Sequence, residues 1–196
     1  MNALEWKATQ SARATVAAAL RETHKHLIAV GDNFGKNDAL NAAAKNIRTE
    51  LKAAFPGVKF SVKSSRFSTG NSIDVYWTDG PCYEQVGPII NRYKAGSFDG
   101  MTDCYNYEHS AWCDAFGEAK YVFGHRNNSD RAIESAIRST VAKYGSAAAV
   151  ATVANFKSGA LYDVSPIGNW GDDQYWSLQS LISRTLQTRC WKLTHA

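Results

Sequence analysis

No apolar run in this chain is long enough to cross a bilayer; the most apolar window, Gly145 to Ala154, is alanine-rich and short. The N-terminal residues include Glu5 and no signal-type apolar core, so the sequence predicts a soluble cytoplasmic protein. Cysteine is scarce. Cys82, Cys104, Cys113 and Cys190 come without a secretory signal, so reduced thiols are expected rather than an oxidised framework. Missing as well are a phosphate loop, a recognisable nucleophile motif, an internal repeat and a low-complexity linker. A dense negative surface is also absent: 22 Lys/Arg against 18 Asp/Glu leave a net charge of +4, which disfavours an acidic mimic of nucleic acid.

What is present suits a folded protein. The 196 residues, 44% apolar and 20% charged, can bury a real hydrophobic core. Charge is uneven along the chain: residues 1–66 carry 11 Lys/Arg against 5 Asp/Glu, residues 67–120 carry 3 against 8, and residues 121–196 carry 8 against 5. Basic flanks can attract nucleic acid or an acidic partner, although mixed charge is most often a solvated surface.

In chain order, Thr9 to Val30 reads as a helix with Val16, Ala19, Leu20, Thr23 and Leu27 near one face. A second helix follows Asn37, a good N-cap, with Leu40, Ala44, Ile47 and Leu51 at helical spacing. So short a connection predicts antiparallel packing of the pair. Val58, Phe60 and Val62 alternate as a strand, as do Ile73, Val75 and Trp77, and Ser64 to Ser72 reads as a polar loop between them. Asp79-Gly80-Pro81 is a turn before a short helix carrying Val86, Ile89, Ile90 and Tyr93, with Pro88 implying a kink or a later start. Phe98 to Met101 is a second turn, and Cys104 to Tyr107 and Ala119 to Arg126 are strand candidates. Residues 107–117 and 146–171 follow no clear period. Asn128 or Ser129 caps a helix with Ile133, Ile137 and Val141, and Asp172 or Asp173 caps a last helix with Leu178, Leu181, Ile182 and Leu186.

These elements predict an α+β fold, an antiparallel sheet with helices on one face and an N-terminal helical pair. The sequence divides into that pair at 1–55, an αβ core at 56–130 and a C-terminal helical layer at 131–196, expected to form one globular unit.

Three strings carry a family resemblance: FSVKSSRFSTGNSIDVYWTDGP from Phe60 to Pro81, SFDGMTDCYNY from Ser97 to Tyr107, and GEAKYVFGHRNNSD from Gly117 to Asp130. Over this span the chain resembles the large polyvalent protein-associated domains, twenty-ninth type, found in phage and conjugative-plasmid proteins. The resemblance implies an accessory protein of a mobile element, one that helps incoming DNA survive host defences. It carries over no catalytic residues. The chain departs from the family at Cys82, where a hydroxyl residue is favoured, and at Gly87-Pro88.

Read as chemistry, Cys104, His109 and Cys113 with Cys82 or His125 could hold zinc. Their spacing lacks the tight Cys-x2-Cys knuckle, and small buried hydrophobes are the simpler reading of the thiols. Cys113 with His109 or His125 could form a nucleophile and base. The acids Asp74, Asp79, Asp99, Asp103 and Asp114 could bind a metal, although turn formation accounts for Asp79 and Asp99. Rings crowd the central third, and outward ones beside Lys59, Lys63, Arg66 and Arg126 would make a stacking platform for bases. Alternation puts Trp77 in the core and Tyr76 outside, beside an acidic neighbour, Asp74, that weakens this reading.

The leading expectation is a non-enzymatic protein, with no cofactor and no metal, that occupies a host defence complex of the CRISPR or restriction type. Its contacts would be Ser64, Ser65, Arg66, Ser68, Asn71, Tyr76 and Trp170. A nucleic-acid-binding accessory domain using Lys59, Lys63, Arg66 and Arg126 is the alternative, and a metal- or cysteine-dependent enzyme a weaker one.

Overall fold

The computed structural model describes residues 3–30, 36–144, 150–165 and 176–189. Their order is α1 (Ala3–Thr23), α2 (Lys36–Ala54), β1 (Ser61–Phe67), β2 (Gly70–Thr78), α3 (Tyr83–Ile90), β3 (Gly96–Asp99), β4 (Cys104–Tyr107), α4 (Ala111–Phe116), β5 (Tyr121–Asn127), α5 (Asp130–Tyr144), α6 (Val153–Ser158) and α7 (Leu178–Thr188). The fold is α+β, as the patterning predicts. Packing divides the chain into two compact units that do not follow chain order: one holds residues 1–77 and 84–125, the other 78–83 and 126–196.

In the first unit β1 pairs antiparallel with β2, which lies between β1 and β5. The period of two along each strand sends Ile73, Val75 and Trp77 of β2 and Val122 of β5 to one face, where all are buried. Leu40, Ala44, Ile47 and Leu51 of α2 meet them in a single cluster with Val86 and Ile90 of α3 and Ala115 and Phe116 of α4. Burial of these side chains is the main stabilising term. Gly117, just after α4, has a φ of +89°, and a Cβ there would run into the Ala39 carbonyl of α2, so only glycine allows the two helices this approach.

The N-terminal helix differs from its expected form. It ends at Thr23, whose hydroxyl donates to Ala19 O and Leu20 O. Val16 is exposed; Ala17 is buried, flanked by half-buried Gln10, Arg13, Leu20 and Arg21. The shift follows from its partner. α1 packs chiefly on α4 rather than on α2, and the contact is partly polar: Arg13 Nε lies 2.5 Å from Asp114 Oδ2, and Arg21 donates to Asp114 O and Val30 O. Residues after the helix are tied down by Asn46, almost fully buried, which accepts from Ile28 N and donates to Ile28 O and Phe116 O. One amide side chain thereby satisfies three backbone groups that would otherwise be costly to bury.

The polar loop expected over Ser64 to Ser72 is instead a continuation of the strands. β1 runs to Phe67 and β2 starts at Gly70, paired directly, so the turn is only Ser68-Thr69. Residues 63–67 are all exposed and therefore show no apolar alternation, which is why the pattern hides the strand. β3 and β4 form a second hairpin, closed at Asp99, whose carboxylate accepts from Met101 N and Thr102 Oγ1. Residues 107–117 contain α4, capped by Ser110. α3 spans Tyr83–Ile90 with Pro88 inside it, and a 3₁₀ turn over Asn91–Tyr93 extends it.

The second unit is helical. Ile133, Ile137, Leu161, Leu178, Ile182 and Leu186 from α5, α7 and the segment after α6 form its core. Ser129 caps α5 as expected, and Ser177 caps α7; the proposed caps Asp172 and Asp173 lie outside the described residues. Arg189 donates to Ser135 and Ser139 on α5. Cys82 corrects the expectation of reduced thiols: it is buried and disulfide-bonded. Thiol pairing depends on which cysteines the fold brings together in space, which spacing along the chain does not reveal.

Candidate nucleic-acid interface

With apolar side chains turned inward, the alternate residues of the three-stranded sheet point the other way: Lys63, Ser65 and Phe67 on β1, Ser72, Asp74 and Tyr76 on β2, and Tyr121, Phe123 and His125 on β5. Here the rings line up. Tyr76 stacks on His125 with centroids 4.6 Å apart, His125 meets Phe123 at 6.3 Å, and Phe123 lies almost parallel to Tyr121 at 6.0 Å. Tyr121 continues to Phe67 at 6.3 Å and to Tyr105 at 5.4 Å. From Tyr105 the row passes onto the second hairpin, to Tyr107 at 4.7 Å and His109 at 5.8 Å.

The outer rings are solvated: Phe67 is 44% exposed, Phe123 46% and Tyr107 59%. Contiguous solvated rings make a candidate contact surface. Cations accompany them. Lys63 Nζ lies 5.5 Å from the Tyr76 ring centre, and Lys120 Nζ lies 5.1 and 5.4 Å from the centres of Tyr105 and Tyr121. The row is held from beneath: the Tyr105 hydroxyl donates to Lys120 O, and partial burial pushes that phenol up to about 12. Lys120 N donates to Asn71 Oδ1 at 2.8 Å, which fixes β5 to the hairpin.

Both carboxylate oxygens of Asp74 have side-chain partners. Its Oδ1 is 2.9 Å from His125 Nε2 and its Oδ2 accepts from Ser72 Oγ at 3.1 Å, while Ser72 bonds Ser65 at 2.8 Å. At the other end of the row His109 Nδ1 lies 3.2 Å from Glu118 Oε2. Each end is therefore a tyrosine–histidine stack with a carboxylate on the imidazole.

Beside this end lies an open cleft of about 730 Å³, bounded by Arg66, Phe67, Asn71, Tyr107, His109, Glu118 and Lys120 among others.

The residues singled out from sequence fall as follows. Ser64, Ser65 and Arg66 are exposed on β1, with Arg66 3.4 Å from Asn41 Oδ1, and Ser68 is exposed in the turn. Asn71 and Tyr76 are half-buried and carry the contacts just given. Lys59 is exposed ahead of β1, and Lys63 stands on the ring-bearing face. Arg126 belongs to the second unit, where its guanidinium donates to the carbonyls of Gly80, Leu186 and Arg189; there it serves as a structural clamp. Trp170 lies outside the described residues. Trp77 is buried, as alternation requires.

Chemistry at the thiols is also resolved. Cys113 is buried and its Sγ lies 3.4 Å from Arg92 O; burial pushes the thiol up to about 11, which keeps it protonated and a poor nucleophile at neutral pH. Cys104 is exposed, which corrects its reading as a buried hydrophobe. Among the described residues no three His, Cys, Asp or Glu side chains converge as a metal site, and no helix is long and apolar enough to cross a membrane.

Sequence reasoning missed Phe67, hidden among polar neighbours in a stretch read as loop, and the pairing of His125 with Asp74 and of His109 with Glu118. Tyr121-x-Phe123-x-His125 opposite a buried Val122 is a period-two signal that points to the outer row.

No curated protein and no solved structure shows significant similarity to the chain. The resemblance read between Phe60 and Asp130 holds and reaches back into α2, for residues 39–129 match the family model described as large polyvalent protein associated domain 29.

Proposed function

We propose that the first unit binds single-stranded nucleic acid along the open face of its sheet, as an accessory domain of a mobile element. The family match supplies the mobile-element context. The observation that carries the reading is the continuous row of rings from Tyr76 to His109, with Phe67, Phe123 and Tyr107 solvated and Lys63 and Lys120 beside it. Bases of any identity stack on exposed aromatic side chains, and neighbouring cations meet the phosphates. The acidic neighbour that weakened this reading in sequence, Asp74, is engaged by His125 and Ser72. The action is binding rather than catalysis, a view supported by the high pKa of the Cys113 thiol.

Fluorescence anisotropy with a labelled 12-nucleotide strand tests it. Wild-type protein should bind, more weakly as salt rises, and prefer the single strand to its duplex. Phe67→Ala, Tyr107→Ala and Phe123→Ala should each weaken binding roughly 5- to 150-fold, the equivalent of about 1–3 kcal/mol per stacked base. Equal binding by all three variants would sink the proposal.

A protein partner is the second reading: a host defence complex, of the CRISPR or restriction type, docked on the hairpin. It draws on the exposure of Ser64, Ser65, Arg66 and Ser68 along the edge strand β1. A pull-down from host lysate that recovers a defence component, lost on substituting Arg66 and Ser68 together, would establish it over nucleic acid.

A further inference from the structure

Resting on the reading of the sheet face as a strand-binding surface, we infer that the cleft at the hairpin end of the ring row selects a guanine base, with Glu118 as the residue that reads it. Stacking alone does not distinguish bases, because every base has a π face. Selectivity requires polar groups at a base edge. Of the two carboxylates at the ends of the row, Asp74 has both oxygens engaged, one by His125 and one by Ser72. Glu118, unlike Asp74, lines the cleft: 29% of its side chain is exposed, Oε2 is oriented by His109 Nδ1, and the Cys113 thiol is a further partner of the carboxylate.

Aromatic and cationic side chains border the cleft together. Phe67 and Tyr107, both members of the ring row, border it, and its volume of about 730 Å³ is ample for a nucleotide. Arg66 and Lys120 border it too and supply cations for the flanking phosphates, contacts that position a strand without reading it. A carboxylate is an acceptor at two adjacent oxygens. Guanine presents two adjacent N–H donors on its Watson–Crick edge, N1–H and the N2 amine. Adenine and cytosine present one amine next to a bare ring nitrogen that repels a carboxylate, and thymine presents one N–H between two carbonyls. Charge-assisted bidentate pairing thus favours guanine over the other three.

The test compares dT12 with dT12 carrying one central guanine, adenine, cytosine or inosine, each by anisotropy on the full chain. The guanine strand should bind about tenfold more tightly than dT12, as one bidentate base contact requires. Inosine, which lacks the N2 amine, should lose most of that gain. In Glu118→Gln the ratio of the two affinities should fall to about one, while Glu118→Asp should retain part of it. Equal affinities for all strands in wild type would overturn guanine selection and leave the stacking face standing; a guanine preference that survives Glu118→Gln would overturn the role of Glu118. If dT12 does not bind but guanosine monophosphate does, in a Glu118-dependent way, the cleft stands and the strand-binding face falls. Absence of binding by every probe would overturn both.

Discussion

The helix stripes of one compact unit and the sheet of the other are covered differently. In the second unit the stripes on α5 and α7 close on each other, with Ile133, Leu178, Ile182 and Leu186 all buried. In the first, one sheet face is closed in the same manner by α2, α3 and α4, while the other displays Phe67 and Phe123 to water, continued by Tyr107 on the β3–β4 hairpin. A helix with a single apolar stripe exhausts its apolar surface in packing. A strand has two faces, and a sheet covered on one side has a second face available for a ligand.

If core and face are separate systems, they should break separately. The largest effect is expected in the core: Ile47→Ala should cost about 2–5 kcal/mol in chemical denaturation, because the buried side chain leaves a cavity among α2, β2 and α4 neighbours. Next comes Asn46→Ala, which strands the backbone groups of Ile28 and Phe116 and should cost about 1–3 kcal/mol by the same measurement. Phe123→Ala should stay within about 0.5 kcal/mol of wild type, since the residue is nearly half exposed and outside the buried core, while strand binding falls as stated above. A large loss of stability there would make the ring row structural and erase the contrast.

The smallest effects concern the thiols. Cys104 should react with a maleimide in the native protein and Cys113 only after unfolding; rapid native labelling of Cys113 would contradict its burial. The fold raises the Cys113 pKa from 9.0 to about 11, so the unfolded chain loses this proton first. Between those values the folded state binds more protons than the unfolded state, and stability should fall as pH rises from 9 towards 11, less so in Cys113→Ala. Below pH 9 the contribution is fully present.

Much of the inner face was legible because burial writes a period into sequence. Leu40, Ala44, Ile47 and Leu51, then Ile73, Val75 and Trp77, then Leu178, Leu181, Ile182 and Leu186 sit where their spacing places them. Where an element carries a polar contact, the pattern misleads: α1 was assigned the face of Val16, yet it turns Arg13 and Arg21 towards Asp114 of α4. The exposed end of the first hairpin gave no signal, for strand residues solvated on both sides have no alternation to read.

By itself, then, the sequence determined α2, α3, α5 and the stripe of α7, the inward side of β2, the turns at Asp79 and Asp99 and the family resemblance, since local propensity and apolar period act between near neighbours. Tertiary structure alone decided which outward rings meet. Tyr76 and His125, or Phe67 and Tyr121, are some fifty residues apart and touch only because β5 lies beside β2 in one sheet. It likewise decided that His125 holds Asp74, that Arg126 reaches the carbonyls of Gly80, Leu186 and Arg189, and that Cys82 finds a disulfide partner. Contacts across such separations depend on strand order and register, and a linear pattern encodes neither.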